Sequence, residues 1–265
     1  MTRVSVTGTA AGKRPSRMRS LVFQAALHMS VLAVWEIACR TIIPPLFFPP
    51  PSMVAAAFVE TTVSGELPRQ FLQTLSVLGL GFGIAIVSGM ALGVAMGSIP
   101  LLSRLLDPYV NALYAMPTVA LVPLVIIWLG LGFEAKVFLT WLVGVFPIVI
   151  NAQIGVTNIP KSYLETARSF ACTRRQTFWK VILPAAVPFF VAGLRLGLGR
   201  ALVGVVVAEM FTALAGLGYM VTYYGNTFKT AQLFVPIVTL AILSIAISEL
   251  IKLAERKLAP WNQRS

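Results

Sequence analysis

Long apolar stretches alternate along this chain with short polar segments. Six apolar stretches lie at about 21–43, 70–97, 105–130, 135–156, 186–213 and 233–253. A helix needs about 20 apolar residues to cross the hydrocarbon core of a bilayer, so each stretch predicts one membrane-spanning helix. Prolines interrupt the third, fourth and fifth stretches, where neighbouring helices would have to satisfy the freed backbone carbonyls. We therefore expect an all-α protein, a polytopic membrane bundle of about six spanning helices.

The remaining segments divide the chain around these helices. The basic N-terminal segment is expected to be disordered, and the apolar run after it is too long for the core of a signal peptide, which favours a retained first helix. A proline-rich connection follows, predicted to form a rigid turn and a short interfacial helix over 53–59. The predicted parts are a basic tail at 1–20, the first span at 21–43, an extracytoplasmic loop at 44–69, a core at 70–256 and a second tail at 257–265.

The connection at 160–184 is more charged than the others and has the pattern of two short helices. Ser162–Glu165 and Thr173–Gln176 each have the spacing of an N-terminal capping box. Pro184 disfavours helical geometry at Leu183, so we expect the second helix to end there. Both helices combine basic with apolar residues. This composition fits a helix pair that lies on the membrane surface and equally one that docks on a soluble protein.

Small residues recur at every fourth position in the second apolar stretch and again in the fifth. They are Gly81, Ala85, Gly89, Gly93 and Gly97, then Gly193, Gly197 and Ala201. This spacing places each set along one helix face, where another helix backbone can approach closely. The pattern favours packing within one bundle over a seam between two copies of the chain.

The composition agrees with a membrane protein. The chain is 57% hydrophobic and 11% charged, against about 25% charged in a typical soluble domain, and its mean hydropathy is +0.84. The net charge of +12 does not require nucleic acid, because basic residues collect on the cytoplasmic side of membrane proteins and on anionic lipid. With the N-terminus placed inside, 15 of the 21 Lys and Arg residues fall inside and four outside. This distribution predicts that both termini and the 160–184 segment are cytoplasmic.

The sequence contains few groups that could carry out chemistry. It has no Walker-type phosphate loop and no zinc-binding pattern, and the single His28 and the distant Cys39 and Cys172 predict neither a metal site nor a disulfide. An enzyme is therefore not expected. A secondary transporter or proton pump usually carries ionisable residues near the membrane centre, and the candidates for such residues are few here: Glu36, Asp107, Glu209 and Glu249, with Arg195 and Arg200, most of them toward the span ends.

Glu209 is the acidic residue with the most open interpretation. It lies about 32 Å beyond Pro188 along a straight helix, near the predicted outer membrane boundary. At this depth the carboxylate could line or gate a translocation path, pair with a basic group, or lie among lipid headgroups.

Several motifs together resemble a known family. Glu165-Thr-Ala167, followed by Val181-Ile-Leu-Pro184, is similar to the EAA loop of permease subunits of bacterial ABC importers. Further segments resemble the nitrate, sulfonate and taurine branch of that family: Phe48–Ser52, Met116–Pro123, Trp128–Gly132, Ala208–Met210 and Gly216–Gly218. The resemblance extends over nearly the whole chain, from about Phe48 to Trp261.

The resemblance implies a function and a set of partners. Two copies of the chain would form a pathway through the bacterial inner membrane for a sulfonate, taurine, nitrate or similar solute. A cytoplasmic ATPase dimer, which would bind the ATP and Mg²⁺, and an extracytoplasmic binding protein would complete the transporter. Membrane lipid is the other expected partner, and nucleic acid is not expected. No cofactor is expected in this chain.

In this family the EAA loop forms coupling helices that insert into a groove on the ATPase. The residues expected to contact the ATPase are Glu165, Ala167, Ala171, Cys172 and Thr173. Ala171 departs from the family, which usually has glycine there. Because alanine resists the backbone angles that glycine accepts, we expect a conventional turn or a more continuous helical path at this point.

Two functions from other classes remain as alternatives. An ion-gradient-driven transporter predicts uptake that survives ATP depletion and fails with uncouplers. A membrane scaffold predicts association with partners and no uptake. The EAA-like loop and the scarcity of charged groups near the membrane centre favour the ATP-driven importer.

Overall fold

The computed structural model describes residues 17–212 and 214–258, and every regular element in these ranges is helical. The two predicted tails lie largely outside the described residues. The α-helices, in chain order, are α1 Arg17–Thr41, α2 Pro51–Val63, α3 Glu66–Ser98, α4 Pro100–Ala115, α5 Val122–Leu129, α6 Phe133–Thr157, α7 Lys161–Ser169, α8 Arg174–Thr177, α9 Leu183–Thr212, α10 Leu217–Asn226 and α11 Thr230–Leu258. The all-α membrane bundle expected from the sequence is confirmed.

Five helical segments in the described ranges are long and apolar enough to cross a membrane: Val22–Thr41, Glu66–Ser98, Phe133–Thr157, Arg174–Thr212 and Thr230–Arg256. A sixth crossing results if α4 and the helical segment Thr118–Leu129 are counted together. The predicted number of spans is therefore confirmed. A helix is present at the predicted position as α2, and it is longer than expected.

The third predicted span, 105–130, is wrong as a single helix. α4 and the following segment Thr118–Leu129 are bent by 91° relative to each other, at a break formed by Met116 and Pro117. Met116 has extended backbone angles, because the proline ring that follows it disfavours helical geometry. A short 3₁₀ turn, Thr118–Leu121, then leads into α5.

Helix α6 lies at the centre of the bundle, between α3 and α9. The glycine stripe of α3 contacts it along its whole length: a Cβ at Gly81 would meet Thr140, and a Cβ at Gly97 would meet Val156. The contacting residues of α6 follow one another in the same order as those of α3, so the two helices are parallel. The small residues of α9 meet α6 in the opposite order, so these two helices are antiparallel. Gly193 faces Asn151, and Gly197 faces Ile148.

These contacts use the small-residue stripes within one chain. Gly89 faces Ile148, and Gly93 lies so close to Val149 that an added Cβ would be 2.4 Å from its carbonyl oxygen. The absence of side-chain atoms allows the helix backbones to approach, and the buried cluster around Ile148, Leu198 and Val205 fills the remaining space.

The fifth predicted span begins much earlier than position 186. Helical backbone continues without a break from Arg174 through a π-helical turn, Phe178–Ile182, into α9. The expected helix end before Pro184 is wrong, because Leu183 keeps helical angles of φ −60° and ψ −47°. The wider π turn directly before the proline explains the difference, since it removes the regular i to i−4 bonding that proline would disrupt.

Candidate functional site

The segment 160–184 forms a helix pair, α7 and α8, that continues into the membrane as α9. Helix α7 begins at Lys161, directly after Pro160, and its N-terminus has no side-chain cap. The predicted capping box at Ser162–Glu165 is therefore wrong. Pro160 occupies the capping position, so Ser162 lies inside the first turn, where its side chain cannot cap the helix.

The turn between α7 and α8 depends on Ala171. This residue has a left-handed φ of +50°. The Ala171 N–H donates to Arg168 O at 2.9 Å, and the Cys172 N–H donates to Ala167 O at 3.0 Å. This pair of bonds is the Schellman motif, which normally uses glycine at the left-handed position. The expected conventional turn or continuous helix is wrong: the chain adopts the glycine geometry with an alanine.

The second helix begins with the predicted cap. The Gln176 N–H donates to Thr173 Oγ1 at 3.3 Å, and the Thr173 N–H donates to Gln176 Oε1 at 2.8 Å. Both halves of the capping box are present, and the prediction is confirmed. Two turns therefore fix the relative placement of α7 and α8, the left-handed turn at Ala171 and the cap at Thr173.

An apolar groove of about 620 Å³ lies between α7 and the start of α9. Its walls are formed by Tyr163, Thr166, Ala167, Phe170, Cys172, Lys180, Val181, Pro184 and Ala185. Among the predicted contact residues, Ala167 is buried and Cys172 half-buried at this groove. Glu165, Ala171 and Thr173 are exposed on the helices beside it.

Three exposed aromatic residues of this helix pair were not among the predicted contact residues. Tyr163, Phe170 and Trp179 are 53%, 78% and 61% exposed. The sequence contained the signal, because these side chains supply much of the apolar character of two otherwise basic helices. Large exposed aromatic side chains are typical of surfaces that bind another protein.

Glu209 lies in a buried polar network at the other end of the bundle. The Thr74 hydroxyl donates to the Glu209 carboxylate at 2.9 Å, and the Gly218 N–H donates to it at 2.8 Å. The Leu217 N–H donates to Thr74 Oγ1, and the Gly216 N–H donates to Gln70 Oε1. The network therefore fixes the start of α10 against α3 and α9.

This placement removes one of the three interpretations of Glu209. The side chain is completely buried, so it does not lie among headgroups. A basic residue, Lys136, holds the same connection: its Nζ donates to Ala215 O at 2.9 Å. Glu209 and Lys136 therefore both fix the segment between α9 and α10. Sequence reasoning missed Gln70 and Thr74, although two polar residues four positions apart in an apolar stretch mark one helix face.

A polar cleft of about 390 Å³ opens at the same end, between α2, α3, α10 and α11. Its lining includes Glu60, Glu66, Arg69, Lys229 and three tyrosines. The Tyr224 hydroxyl donates to Glu66 Oε2 at 2.7 Å. Burial, together with this bond, raises the pKa of the Tyr224 phenol above its ordinary value.

Comparison with known proteins identifies the family. Residues 81–263 match the family described as binding-protein-dependent transport system inner membrane component. The chain belongs to this family. It is 32% identical over 253 residues to the taurine transport system permease protein TauC of Escherichia coli K12, covering 90% of each chain. It is 26% identical to the nitrate import permease protein NrtB of Synechocystis sp., covering 98% of this chain and all of that one.

A solved structure has the same fold as this permease. The chain matches a subunit of the inward-facing MetNI methionine ABC transporter with a TM-score of 0.60 and 22% identity, covering 71% of this chain and 93% of that one. The protein is thus a permease subunit of an ABC transporter, a multi-pass protein of the inner membrane and a transport component, not an enzyme. The family implies an ATPase and a substrate-binding protein as partners.

Proposed function

We propose that two copies of this permease form the translocation pathway of an ATP-driven importer, with a cytoplasmic ATPase dimer bound to the α7–α8 helix pair. The observation that carries this proposal is the uninterrupted helix from Arg174 to Thr212, which begins in the exposed helix pair and crosses the bundle. The apolar groove beside α7 and the exposed Phe170 and Trp179 supply a surface that an ATPase can cover.

The same helix provides a mechanical connection. A displacement of α8 by the ATPase moves α9 with it, because no flexible loop separates them. The small-residue contacts between α9 and α6 then transmit the movement to the centre of the bundle. ATP and Mg²⁺ are bound by the ATPase, and ATP-driven closure of the ATPase dimer switches the paired bundles between inward- and outward-facing states.

The charge distribution supports a cytoplasmic position for the helix pair and for both termini. At the end of the bundle that carries α7 and α8, the basic residues include Arg104, Lys161, Arg168, Arg174, Arg175, Lys180, Lys252 and Arg256. The opposite end carries Arg40, Arg69, Lys136 and Lys229. The more basic end faces the cytoplasm. The substrate-binding protein then docks at the opposite end, where the polar cleft opens.

The proposed solute carries a small oxyanion group, as taurine, other alkylsulfonates and nitrate do, because the chain is similar to taurine and nitrate permeases. The test is reconstitution of the permease in liposomes with its ATPase and binding protein. Saturating taurine, ethanesulfonate or nitrate should stimulate ATP hydrolysis and accumulate inside. If no solute is taken up with ATP, while an ion gradient alone drives uptake, the importer assignment is wrong.

Glu165 tests the docking of α7 on the ATPase. We expect Glu165→Lys to weaken copurification of the ATPase and to lower solute-stimulated hydrolysis, because the exposed carboxylate lies on the docking surface. Glu165→Gln should have a smaller effect. The matched control is Glu134→Lys, the same charge change at an exposed position on the opposite end of the bundle. Equal assembly and hydrolysis in Glu165→Lys and wild type would contradict a docking role.

A further inference from the structure

Arg200 is a basic residue at membrane depth whose side chain is not enclosed by the bundle. It lies near the middle of α9, about 18 Å from Thr212 at 1.5 Å per residue. It is exposed, as are Leu196 and Val203 on the same helix face, which are 56% and 55% exposed. A charged side chain at this depth is costly in lipid, and such residues almost always face a bundle interior or a water-filled cavity.

The other arginine of α9, Arg195, has a structural role. Arg195 forms an ion pair with Glu255 of α11 at 2.5 Å, and this pair joins the two helices. Within the described residues Arg200 has no such carboxylate partner. The Arg200 guanidinium instead lies over the ring of Tyr114, whose centroid is 5.2 Å from the guanidinium carbon. The cation–π contact orients the guanidinium without neutralising its charge.

Tyr114 connects Arg200 to the break between α4 and the 3₁₀ turn. Tyr114 lies two residues before Met116, where α4 ends and the chain bends by 91°. The 3₁₀ turn packs close to α9, since only a small apolar gap of about 10 Å³ lies between Thr118 and Val119 of the turn and Val203 and Val207 of α9. Irregular backbone at membrane depth is tolerated where it is buried in protein or lines a water-filled cavity. The helix break and Arg200 thus lie beside the same face of α9.

We propose that Arg200 binds the anionic group of the solute within the translocation pathway, and that Tyr114 is its positioning residue. The ligand class is a small oxyanion, a sulfonate or nitrate. A guanidinium offers two parallel N–H donors to two oxygens of such a group. This inference rests on the proposed function as a permease of an oxyanion importer, and it assigns the solute contact to this chain as well as to the binding protein.

The first test measures water access and local charge without knowing the solute. Gly199, next to Arg200, is exposed, and a Cβ there would meet no atom within 4 Å, so Gly199→Cys fits the structure. The reconstituted complex is treated with an anionic and a cationic methanethiosulfonate reagent, and modification at position 199 is measured by peptide mass spectrometry. We expect the anionic reagent to react faster relative to the cationic one by about tenfold, from the field of one nearby charge.

Two further variants in the Gly199→Cys background assign the preference to Arg200. Arg200→Gln should reduce the ratio of the two reaction rates to about one. The control Arg195→Gln/Glu255→Gln removes the already neutralised pair between α9 and α11 and should leave the ratio unchanged. No reaction with either reagent would place position 199 in lipid or in a closed interface and would overturn the proposal. An unchanged ratio in Arg200→Gln would overturn it as well.

The second test measures transport with taurine, ethanesulfonate and nitrate as probes. Arg200→Gln should lower uptake at least tenfold, and Arg200→Lys, which keeps the charge but loses the planar pair of donors, should lower it less. Tyr114→Phe should retain most uptake, and Tyr114→Leu should raise the half-saturating solute concentration. If the wild type takes up a probe and Arg200→Gln takes it up equally well, the role of Arg200 is wrong and the proposed function stands. Absence of wild-type uptake for every probe contradicts the proposed function instead.

Discussion

At the residue scale, single backbone positions decide how the functional ends of this permease are built. Ala171 takes a left-handed conformation that normally belongs to glycine, and it does so at the turn between α7 and α8. Gly216 takes a φ of +111° at the turn between α9 and α10, directly against the Glu209 carboxylate. Each position holds one end of α9 in place, so each substitution has a defined consequence.

Ala171→Gly should stabilise the permease. The left-handed conformation costs an alanine about 1–2 kcal/mol, and glycine recovers this while losing about 0.5–1 kcal/mol to the entropy of the unfolded chain. The expected gain of about 0.5–1 kcal/mol should appear as a higher unfolding temperature in detergent. The control is Ala192→Gly at an exposed position inside α9, which should lower the unfolding temperature. A decrease in both variants would argue against the left-handed turn.

Gly216→Ala should destabilise the permease by about 3 kcal/mol, because backbone strain and overlap add. A Cβ at this position would lie 2.0 Å from Glu209 Cδ. Gly83→Ala is the matched change, since a Cβ at Gly83 meets nothing within 4 Å and the site is helical. The yield of folded protein after size-exclusion chromatography distinguishes the two. Similar yields would mean that Glu209 does not pack against the turn.

At the element scale, the bundle is organised around α6, and close contacts between small residues set its helix distances. The glycine stripe of α3 lies against α6 over about four turns, from Gly81 to Gly97. Helix α9 uses the same device on another side of α6. Because these faces of α3 and α9 are both packed against α6 within one chain, they are not available for contacts with another protein.

Gly93→Ala tests the crossing of α3 and α6. A Cβ at Gly93 would lie 2.4 Å from Val149 O and 2.6 Å from Ala152 Cβ, so the helices would have to separate. We expect a loss of about 1–3 kcal/mol, the usual cost of overpacking. Gly79→Ala on the same helix meets no atom within 4 Å and should be neutral or slightly stabilising. Thermal unfolding of the two purified variants provides the measurement.

At the scale of the whole molecule, the ends of the bundle differ in chemistry. One end carries most of the basic residues, the apolar groove and the exposed aromatic side chains. The other carries the buried Glu209 network and the polar cleft with its tyrosines. A helix pair at the first end continues directly into a transmembrane helix whose far end is held by the second. This arrangement allows a single helix to connect both sides of the membrane.

The proposed orientation has a direct test by cysteine labelling in intact cells. Val63 is 82% exposed at the cleft end, and Phe170 is 78% exposed at the basic end. In a Cys172→Ser background, Val63→Cys should react with a membrane-impermeant maleimide in spheroplasts. Phe170→Cys should react only after the membrane is opened. Cys39 is buried and contributes little background. The reverse labelling pattern would invert the topology.

Local patterns in the sequence determined much of this structure. Apolar stretches long enough to cross a bilayer specified the membrane-spanning helices. The distribution of Lys and Arg distinguished the two ends of the bundle. The Thr173–Gln176 cap formed as predicted because all of its bonds lie within four residues. The glycine spacing indicated close packing, because a bare helix face is useful only where another backbone approaches.

Tertiary structure decided the features that depend on competing or distant contacts. Pro160 displaced the cap expected at Ser162, and the π turn carried the helix through Pro184. Ala171 takes a left-handed conformation because the two backbone bonds that close α7 require one at this position, against the preference of alanine. The partner of Glu209 is Thr74, 135 residues away in the chain. Sequence periodicity predicts which face of a helix is buried. Which residues contact that face is determined only when the helices pack against one another.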